Sequence, residues 1–334
     1  MERNIYIAAC SKNGGIWHYR LQDDGRLVYA DHITADRPMY LTVWKNQLYA
    51  VLRSPFEQSI SVTHKESSGV VSFSLNTRGE IGEASECMPT YGSCSCYISV
   101  FHGRVYTANY LSGSITLLPD CVVKHQGHGP NAARQEMPHL HQILPCPDGN
   151  YLAAVDLGTD RIVTYTRDLK KISEVHSPAG SGPRHLAFAP DGQVAYCANE
   201  LTNDVGIYRY HEGHFTYLHS VQALPDSFQG LTKAAAIRCT GEYVFVSHRG
   251  FDHISCFHRE NEDLFKTADI PCGGRGPRDF DVYGDYIVST NEDSEDVTVI
   301  AWKKPGYPCT ERIALPHPLC VIEKEKKTVT FGNG

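Results

Sequence analysis

Short runs of β-branched, aromatic and other apolar residues recur along the whole chain, and each is followed by a polar turn. Seven of these runs align as equivalents, and their last residues lie 42, 57, 47, 43, 49 and 43 positions apart. A spacing of this size is typical of an architecture built from repeated structural units. The seven runs are residues 5–10, 48–52, 105–109, 152–156, 194–199, 244–248 and 287–291.

The internal order of one repeat is clearest in the segment that begins at Arg184. Alternating apolar and polar positions predict four strands, with a Pro-Asp-Gly turn after the first. These strands are residues 185–188, 194–199, 204–208 and 214–218. No twelve-residue stretch of the chain has a convincing helical period, which disfavours a βαβ fold. Seven repeats of four strands predict an all-β, seven-bladed β-propeller with four-stranded blades.

The two ends of the chain are predicted to close the ring. Residues 318–323 resemble the first strand of a repeat, but the second strand is missing after them. The chain begins with a second strand, residues 4–10, that lacks a first. We therefore expect the two to pair in one shared blade, which makes residues 1–334 a single domain. The longest insert, residues 54–68, is expected to be a surface loop.

Composition narrows the possible partners and compartment. The chain has a net charge of −7 and scattered Lys and Arg residues, so we expect no nucleic-acid partner. It has no apolar run long enough for a membrane span and no signal-peptide pattern at its start, which predicts a cytoplasmic protein without a membrane partner.

The twelve cysteines are scattered and expected to be reduced. Cys94-Ser95-Cys96 lacks a second ligand pair, so neither a metal nor another cofactor is expected. The oligomeric state is left open.

Rare polar residues at equivalent repeat positions are the candidates for function. Seven residues before the Asp of the Pro-Asp-Gly turn stand His141 in one repeat and Arg184 in the next. Arg278 follows Gly-Pro as Arg184 does, and Arg37 is a weaker equivalent. In a propeller the inner strands line the central channel, so these side chains should meet at one mouth. A second layer is expected from the strand ends Asn109-Tyr110, Asp156, Asn199-Glu200, His248-Arg249 and Asn291-Glu292.

Arg, His and Glu side chains together suit an anionic substrate, because guanidinium groups bind carboxylate or phosphate while His or Glu moves a proton. Structural roles are open for the same residues. His141 could be a hydrogen-bonded core histidine, and Arg184 with Glu200 a structural ion pair. Arg249 and Arg278 could brace turns between blades; Asp156 and Asp160 could close a turn through backbone amides.

Several motifs in this order resemble the propeller-type lactonase family, which includes bacterial 6-phosphogluconolactonases of the propeller kind and fungal carboxymuconate lactonizing enzymes. They are Met137-Pro-His-Leu-His141, Gly182-Pro-Arg-His185, Asn199-Glu-Leu201, Ser247-His-Arg-Gly250 and Gly276-Pro-Arg-Asp-Phe280. The resemblance implies a metal-independent site with His141, Arg184, Glu200 and Arg249 as catalytic residues. We expect His139, His185, Asn109 and Arg278 to bind substrate. The Pro-Asp-Gly turn is replaced in several repeats, for example by residues 238–241 and 281–284.

The function expected from these residues is hydrolysis of a sugar lactone, with 6-phosphogluconolactone as one candidate. The substrate would be a small anionic lactone or sugar acid, and either Glu200 or His141 would be the base. A carboxymuconate-type cyclase or isomerase, and a non-catalytic propeller that binds a protein partner, are the alternatives. The chain has no Gly-x-Ser-x-Gly, HExxH or P-loop motif, so a serine, zinc or nucleotide mechanism has no support in the sequence.

Overall fold

A computed structural model describes residues 2–12, 14–56 and 67–324. Within them, 29 strands form seven antiparallel sheets around a central channel, which confirms the predicted seven-bladed propeller. No helix of the described residues is long and apolar enough to cross a membrane. The predicted loop 54–68 is described only at its two ends, because residues 57–66 lie outside the described residues.

The strands follow one another blade by blade, and each blade is numbered here in chain order. In blade one, β1 (Arg3–Ala9), β2 (Gly15–Leu21) and β3 (Leu27–Thr34) are the second to fourth strands counted from the channel, and the first strand comes from the end of the chain. Blade two has β4 (Pro38–Trp44), β5 (Gln47–Leu52), β6 (Gly69–Leu75), β7 (Ile81–Ala84) and β8 (Met88–Pro89). Blade three has β9 (Ser95–Phe101), β10 (Arg104–Asn109), β11 (Ser114–Leu117) and β12 (Cys121–Lys124). Blade four has β13 (Leu140–Pro145), β14 (Tyr151–Asp156), β15 (Arg161–Thr166) and β16 (Lys171–His176).

The remaining strands complete the ring. Blade five has β17 (Pro183–Phe188), β18 (Val194–Asn199), β19 (Asp204–His211) and β20 (His214–Gln222). Blade six has β21 (Lys233–Thr240), β22 (Tyr243–Arg249), β23 (His253–Glu260) and β24 (Asp263–Pro271). Blade seven has β25 (Pro277–Tyr283), β26 (Tyr286–Asn291), β27 (Asp296–Ala301) and β28 (Cys309–Ala314). The last strand, β29 (Pro318–Glu323), returns to blade one.

Burial follows the position of each strand in its blade. The second strands are covered on both faces by neighbouring blades, so Ala153, Ala154 and Val155 of β14 are fully buried. The outer strand β16 of the same blade alternates between exposed and half-buried residues. Blade two departs from the expected four strands, because β7 and β8 both pair with β6 and divide the outer position between them.

A bulge in the first strand of every blade positions the residues of the channel mouth. In β17, for example, Pro183 pairs with Asn199 and His185 with Ala198, so Arg184 has no partner of its own. A bulge of this kind turns one extra side chain away from the regular ladder. The equivalent residues are Leu319, Met39, Cys96, His141, Arg184, Ala235 and Arg278, in blades one to seven. We refer to them as the bulge ring.

The ring closes as predicted, by antiparallel pairing of β29 with β1. Ile7 faces Val321 in this pair, and the backbone N–H of Cys10 donates to the carbonyl oxygen of His317 at 2.9 Å. Arg3 adds an ion pair to Glu323 at 2.9 Å, near the far end of the two strands. Because β29 lies at the channel, it also covers the inner edge of β1.

We expect a chain that ends at residue 317 to lose most of its stability. Leu319, Cys320 and Val321 are buried, and burying a side chain of this type stabilises a protein by about 1.5–3 kcal/mol. The sum is comparable to the roughly 5–15 kcal/mol that separates a native protein from its unfolded state. Thermal unfolding and size-exclusion chromatography should reveal a lower melting temperature and self-association through the exposed edge of β1. The control ends at residue 324; equal melting temperatures for the two chains would contradict the closure.

Candidate active site

A cleft of about 260 Å³ opens at one mouth of the central channel. Its walls come from two layers of the repeat. The bulge ring contributes Met39, Cys96, His141, Arg278 and Leu319. The ends of the second strands contribute Arg53, Tyr110, Glu200, Arg249 and Glu292. Cys94, Arg134 and Lys233 complete the lining.

Three arginines hold the buried carboxylate of Glu200. Nη2 of Arg134 donates to Oε1 at 2.6 Å, while Nε of Arg184 and Nη2 of Arg249 each lie 3.1 Å from Oε2. Burial alone would raise the pKa of Glu200, but Arg249 and Arg184 outweigh it and hold the pKa well below its ordinary value. The carboxylate therefore stays ionised and fixes the three guanidinium groups.

Arg184 lies almost fully buried beneath the floor of this cleft. Its Nη1 donates to the carbonyl oxygen of Ala235 at 2.7 Å, which ties blade five to blade six. Burial, and next the charge of Arg249, lowers the pKa of Arg184 to about 9. The guanidinium is still protonated at neutral pH, so Arg184 provides a fixed positive charge at the bottom of the site.

His141 lines the cleft as a neutral imidazole. Burial and the nearby charge of Arg184 lower its pKa well below the ordinary value for histidine. Its Nδ1 lies 3.8 Å from Sγ of Cys96. Burial raises the pKa of the Cys96 thiol, so a thiolate nucleophile is disfavoured there. A neutral imidazole beside fixed cations can accept a proton from a water molecule.

Positive charge dominates the site, although the chain carries a net charge of −7. In the described residues, the cleft and its floor hold six cationic side chains and three carboxylates. The cations are Arg53, Arg134, Arg184, Lys233, Arg249 and Arg278, and the carboxylates are Glu200, Glu292 and, in the floor, Asp279. An excess of three positive charges in a concave site attracts an anionic ligand.

The structure thus brings His141, Arg184, Glu200 and Arg249 together, as expected. Arg278 joins them and pairs with Glu292 at 3.0 Å. Tyr110 and Glu292 of the expected second layer also line the cleft, whereas His139, His185, Asn109 and Asp156 do not. His139 stacks on the ring of Tyr110 at 4.4 Å and its Nδ1 lies 3.0 Å from that residue's carbonyl oxygen.

His185 lies behind His141, with the two rings 5.1 Å apart, and lines a cavity of about 10 Å³ beneath the cleft. Asn109 is buried among hydroxyl groups and joins Ser95 to Thr116, a contact that braces blade three. Asp156 accepts from the backbone N–H of Gly158 and caps a single 3-10 turn, Leu157–Thr159. It therefore has the structural role that the sequence left open, closing a turn through a backbone amide.

The expected equivalence of Arg37 with Arg184 is wrong. Pro38 pairs with Leu52 as Pro183 pairs with Asn199, so the residue that occupies the bulge is Met39. Arg37 precedes this strand with a left-handed backbone, φ 50°, and contacts the neighbouring Asp36 at 3.0 Å. Blade two therefore contributes an apolar side chain to the bulge ring.

Sequence reasoning missed three cations of the cleft. Arg53 directly follows the second of the seven apolar runs, as Glu200 follows the fifth. Its position in the repeat could therefore have identified it as a candidate. Arg134 lies between β12 and β13, in a segment without an equivalent in the other repeats. Its neighbour Gln135 is fully buried and donates to the carbonyl oxygen of Leu157 at 2.9 Å, which anchors that segment beside the cleft. Lys233 is the first residue of β21 and has no repeated motif.

No group of three or more His, Cys, Asp or Glu side chains in residues 2–12, 14–56 and 67–324 is arranged to hold a metal ion. The two carboxylates of the cleft already pair with arginines. All twelve cysteines lie in the described residues, and no disulfide joins them there.

Comparison with known proteins identifies relatives along nearly the whole chain. Residues 4–322 match the model of a family described as lactonase, 7-bladed beta-propeller. A candidate 6-phosphogluconolactonase from Bacteroides uniformis has 27% sequence identity and a TM-score of 0.85, over 96% of this chain and 99% of that one. Its counterpart from Bacteroides fragilis has 26% identity and a TM-score of 0.84, over 96% and 98% of the two chains.

An uncharacterized protein from Staphylococcus saprophyticus is 29% identical over 317 residues, which cover 87% of this chain and 89% of the relative. The family match includes the described strands β2 to β28 and most of β1 and β29. Together with the seven-bladed architecture, it shows that this chain belongs to the lactonase family of seven-bladed β-propellers.

Proposed function

We propose that this protein hydrolyses a sugar lactone, with 6-phosphogluconolactone as the leading candidate. The observation that carries the proposal is the ionised Glu200, held by three arginines beside the neutral His141 in an open cleft. Membership of the lactonase family supports the reaction class. The excess of positive charge in the cleft supports an anionic substrate.

The reaction requires a proton acceptor and stabilisation of negative charge. In our proposal, His141 removes a proton from water as the oxygen attacks the lactone carbonyl carbon. Arg249, which faces the cleft, stabilises the oxyanion. The ring C–O bond then breaks, and the leaving oxygen takes the proton from His141. The product is a hydroxy acid, which releases one proton at neutral pH.

Of the two candidate bases, the structure favours His141 over Glu200. A carboxylate whose oxygens face three guanidinium groups is a weak proton acceptor. We therefore assign Glu200 as a positioning residue that keeps Arg184 and Arg249 in place. Both cleft carboxylates are engaged by arginines, so the proposal assigns no step to a metal ion.

A panel of lactones tests the reaction class. Purified protein should release acid from 6-phosphogluconolactone faster than the uncatalysed reaction, and chelator should leave the rate unchanged. The neutral glucono-δ-lactone should be a poorer substrate because it lacks a partner for the excess positive charge. Absence of accelerated acid release from every sugar lactone of the panel would refute the proposal.

His141→Asn should lower kcat/KM by about 10²–10⁴-fold, the usual contribution of a general base. His139→Asn is the matched control, because His139 is also a buried histidine two positions earlier but does not line the cleft. Its loss should be about tenfold or less. Steady-state kinetics on both variants, with melting temperatures to check folding, make the comparison. Equal losses would contradict the role of His141 as the base.

An anion bound in the cleft should raise the pKa of His141. After burial, the main influence that lowers this pKa is the charge of Arg184, with a further contribution from Arg278. Sulfate stays a dianion through the acidic range, so it can offset both charges without titrating. NMR titration of the His141 ring should give a higher pKa in sulfate than in chloride at the same ionic strength. A pKa that is unchanged or lower in sulfate would contradict this electrostatic account.

A further inference from the structure

The cations of the cleft form two groups with different surroundings. Arg134, Arg184 and Arg249 surround Glu200 and are fixed by it. The other three, Arg53, Lys233 and Arg278, do not contact Glu200 within ion-pair distance in the described residues. We refer to these three as the rim cations. The inner group already has an assigned role in catalysis, whereas nothing in the proposed reaction uses the rim cations.

Two of the rim cations have no carboxylate partner in residues 2–12, 14–56 and 67–324. The side chains of Arg53 and Lys233 are exposed at the cleft, and within the described residues neither forms an ion pair. Arg278 is bound to Glu292 at 3.0 Å. The rim therefore has an excess of two positive charges. Holding unpaired like charges around one cleft is unfavourable, and a bound anion would relieve the repulsion.

The rim cations lie on a different part of the ring from the proposed base. Arg53 follows β5 of blade two, Lys233 begins β21 of blade six, and Arg278 is the bulge residue of blade seven. His141 belongs to blade four. In a ring of seven blades, blade four faces blades seven and one across the axis. Arg278 therefore stands opposite His141 in the ring, and Arg53 and Lys233 stand two blades away from it on either side.

We propose that Arg53 and Lys233, together with Arg278, form an anion subsite that selects lactones carrying a phosphate group remote from the reacting carbonyl. The subsite rests on the proposed function, because it assigns the lactone ring to the side of His141. A phosphate ester carries about −1.5 to −2 charges at pH 7, which matches the excess of the rim. A neutral sugar lactone would leave these exposed cations hydrated and gain nothing from them.

The specificity ratio between two lactones measures this selection. The ratio compares kcat/KM for 6-phosphogluconolactone with kcat/KM for glucono-δ-lactone, which lacks only the phosphate. Arg53→Gln and Lys233→Gln should each lower the ratio by about fivefold or more, and the double variant should lower it by about twentyfold or more. The cause should be a higher KM for the phosphorylated lactone. Lys170→Gln is the matched control, because Lys170 is an exposed lysine in the turn between β15 and β16.

A specificity ratio that stays constant in the double variant would overturn the subsite. So would an equal fall in kcat/KM for both lactones, because that result would assign the rim cations to the reaction itself. A fall in the ratio caused by kcat alone would likewise contradict a binding role. The control variant should keep the wild-type ratio.

Calorimetry separates failure of the subsite from failure of the proposed function. Binding of 6-phosphogluconate and of gluconate needs no turnover and can be measured on every variant. The wild-type protein should bind the phosphorylated acid more tightly by about tenfold or more, and the double variant should lose most of that preference. The wild-type protein could hydrolyse no lactone and still prefer 6-phosphogluconate, with the double variant losing that preference. In that case the proposed function is wrong and the subsite stands. Equal affinities in the wild-type protein would overturn the subsite.

Discussion

The bulge in the first strand of each blade is the constraint on which the rest of the site depends. Without the extra residue, side chains along an inner strand would alternate regularly between the two faces of its blade. The bulge instead aims the side chains of six blades at the cleft or at the cavity beneath it, so six distant positions become neighbours. Three of these are His141, Arg184 and Arg278, and the apolar remainder includes Met39 and Leu319. A repeat that differs at this one position can therefore change the chemistry of the mouth without changing the propeller.

The buried charges are stable only as a group. Removing an ionised carboxylate or guanidinium from water is costly, and one partner left unpaired would destabilise the protein. Glu200 offsets this cost for Arg184 and Arg249, and Arg134 adds a third contact from outside the repeat. The group nevertheless remains positive after pairing. In our account that residual charge stabilises the oxyanion, and together with burial it keeps His141 in its neutral form.

Much of the architecture could be predicted because propeller repeats leave a regular trace in the sequence. The seven apolar runs coincide with the second strands, and the orphan strand at residues 318–323 closes the ring with β1. Part of the site could be predicted for the same reason. His141 and Arg184 share one position of the repeat, and Glu200 stands at another, directly after a second strand. Arg37 was misplaced because its motif likeness rested on the neighbouring proline, whereas strand pairing aligns Pro38 with Pro183 and puts Met39 in the bulge. Arg134 could not be predicted, because its approach to Glu200 depends on how a non-repeated segment folds over the channel.

The central claim is that His141 takes the proton and Glu200 holds the arginines. The most direct test is the pH dependence of kcat for Glu200→Gln with glucono-δ-lactone, a substrate without a titrating phosphate. The charge of Glu200 raises the pKa of His141, so removing it should lower that pKa further. The account predicts a reduced kcat whose acidic limb persists and moves to lower pH than in the wild-type protein. Loss of the acidic limb in this variant would identify Glu200 as the base and contradict the account.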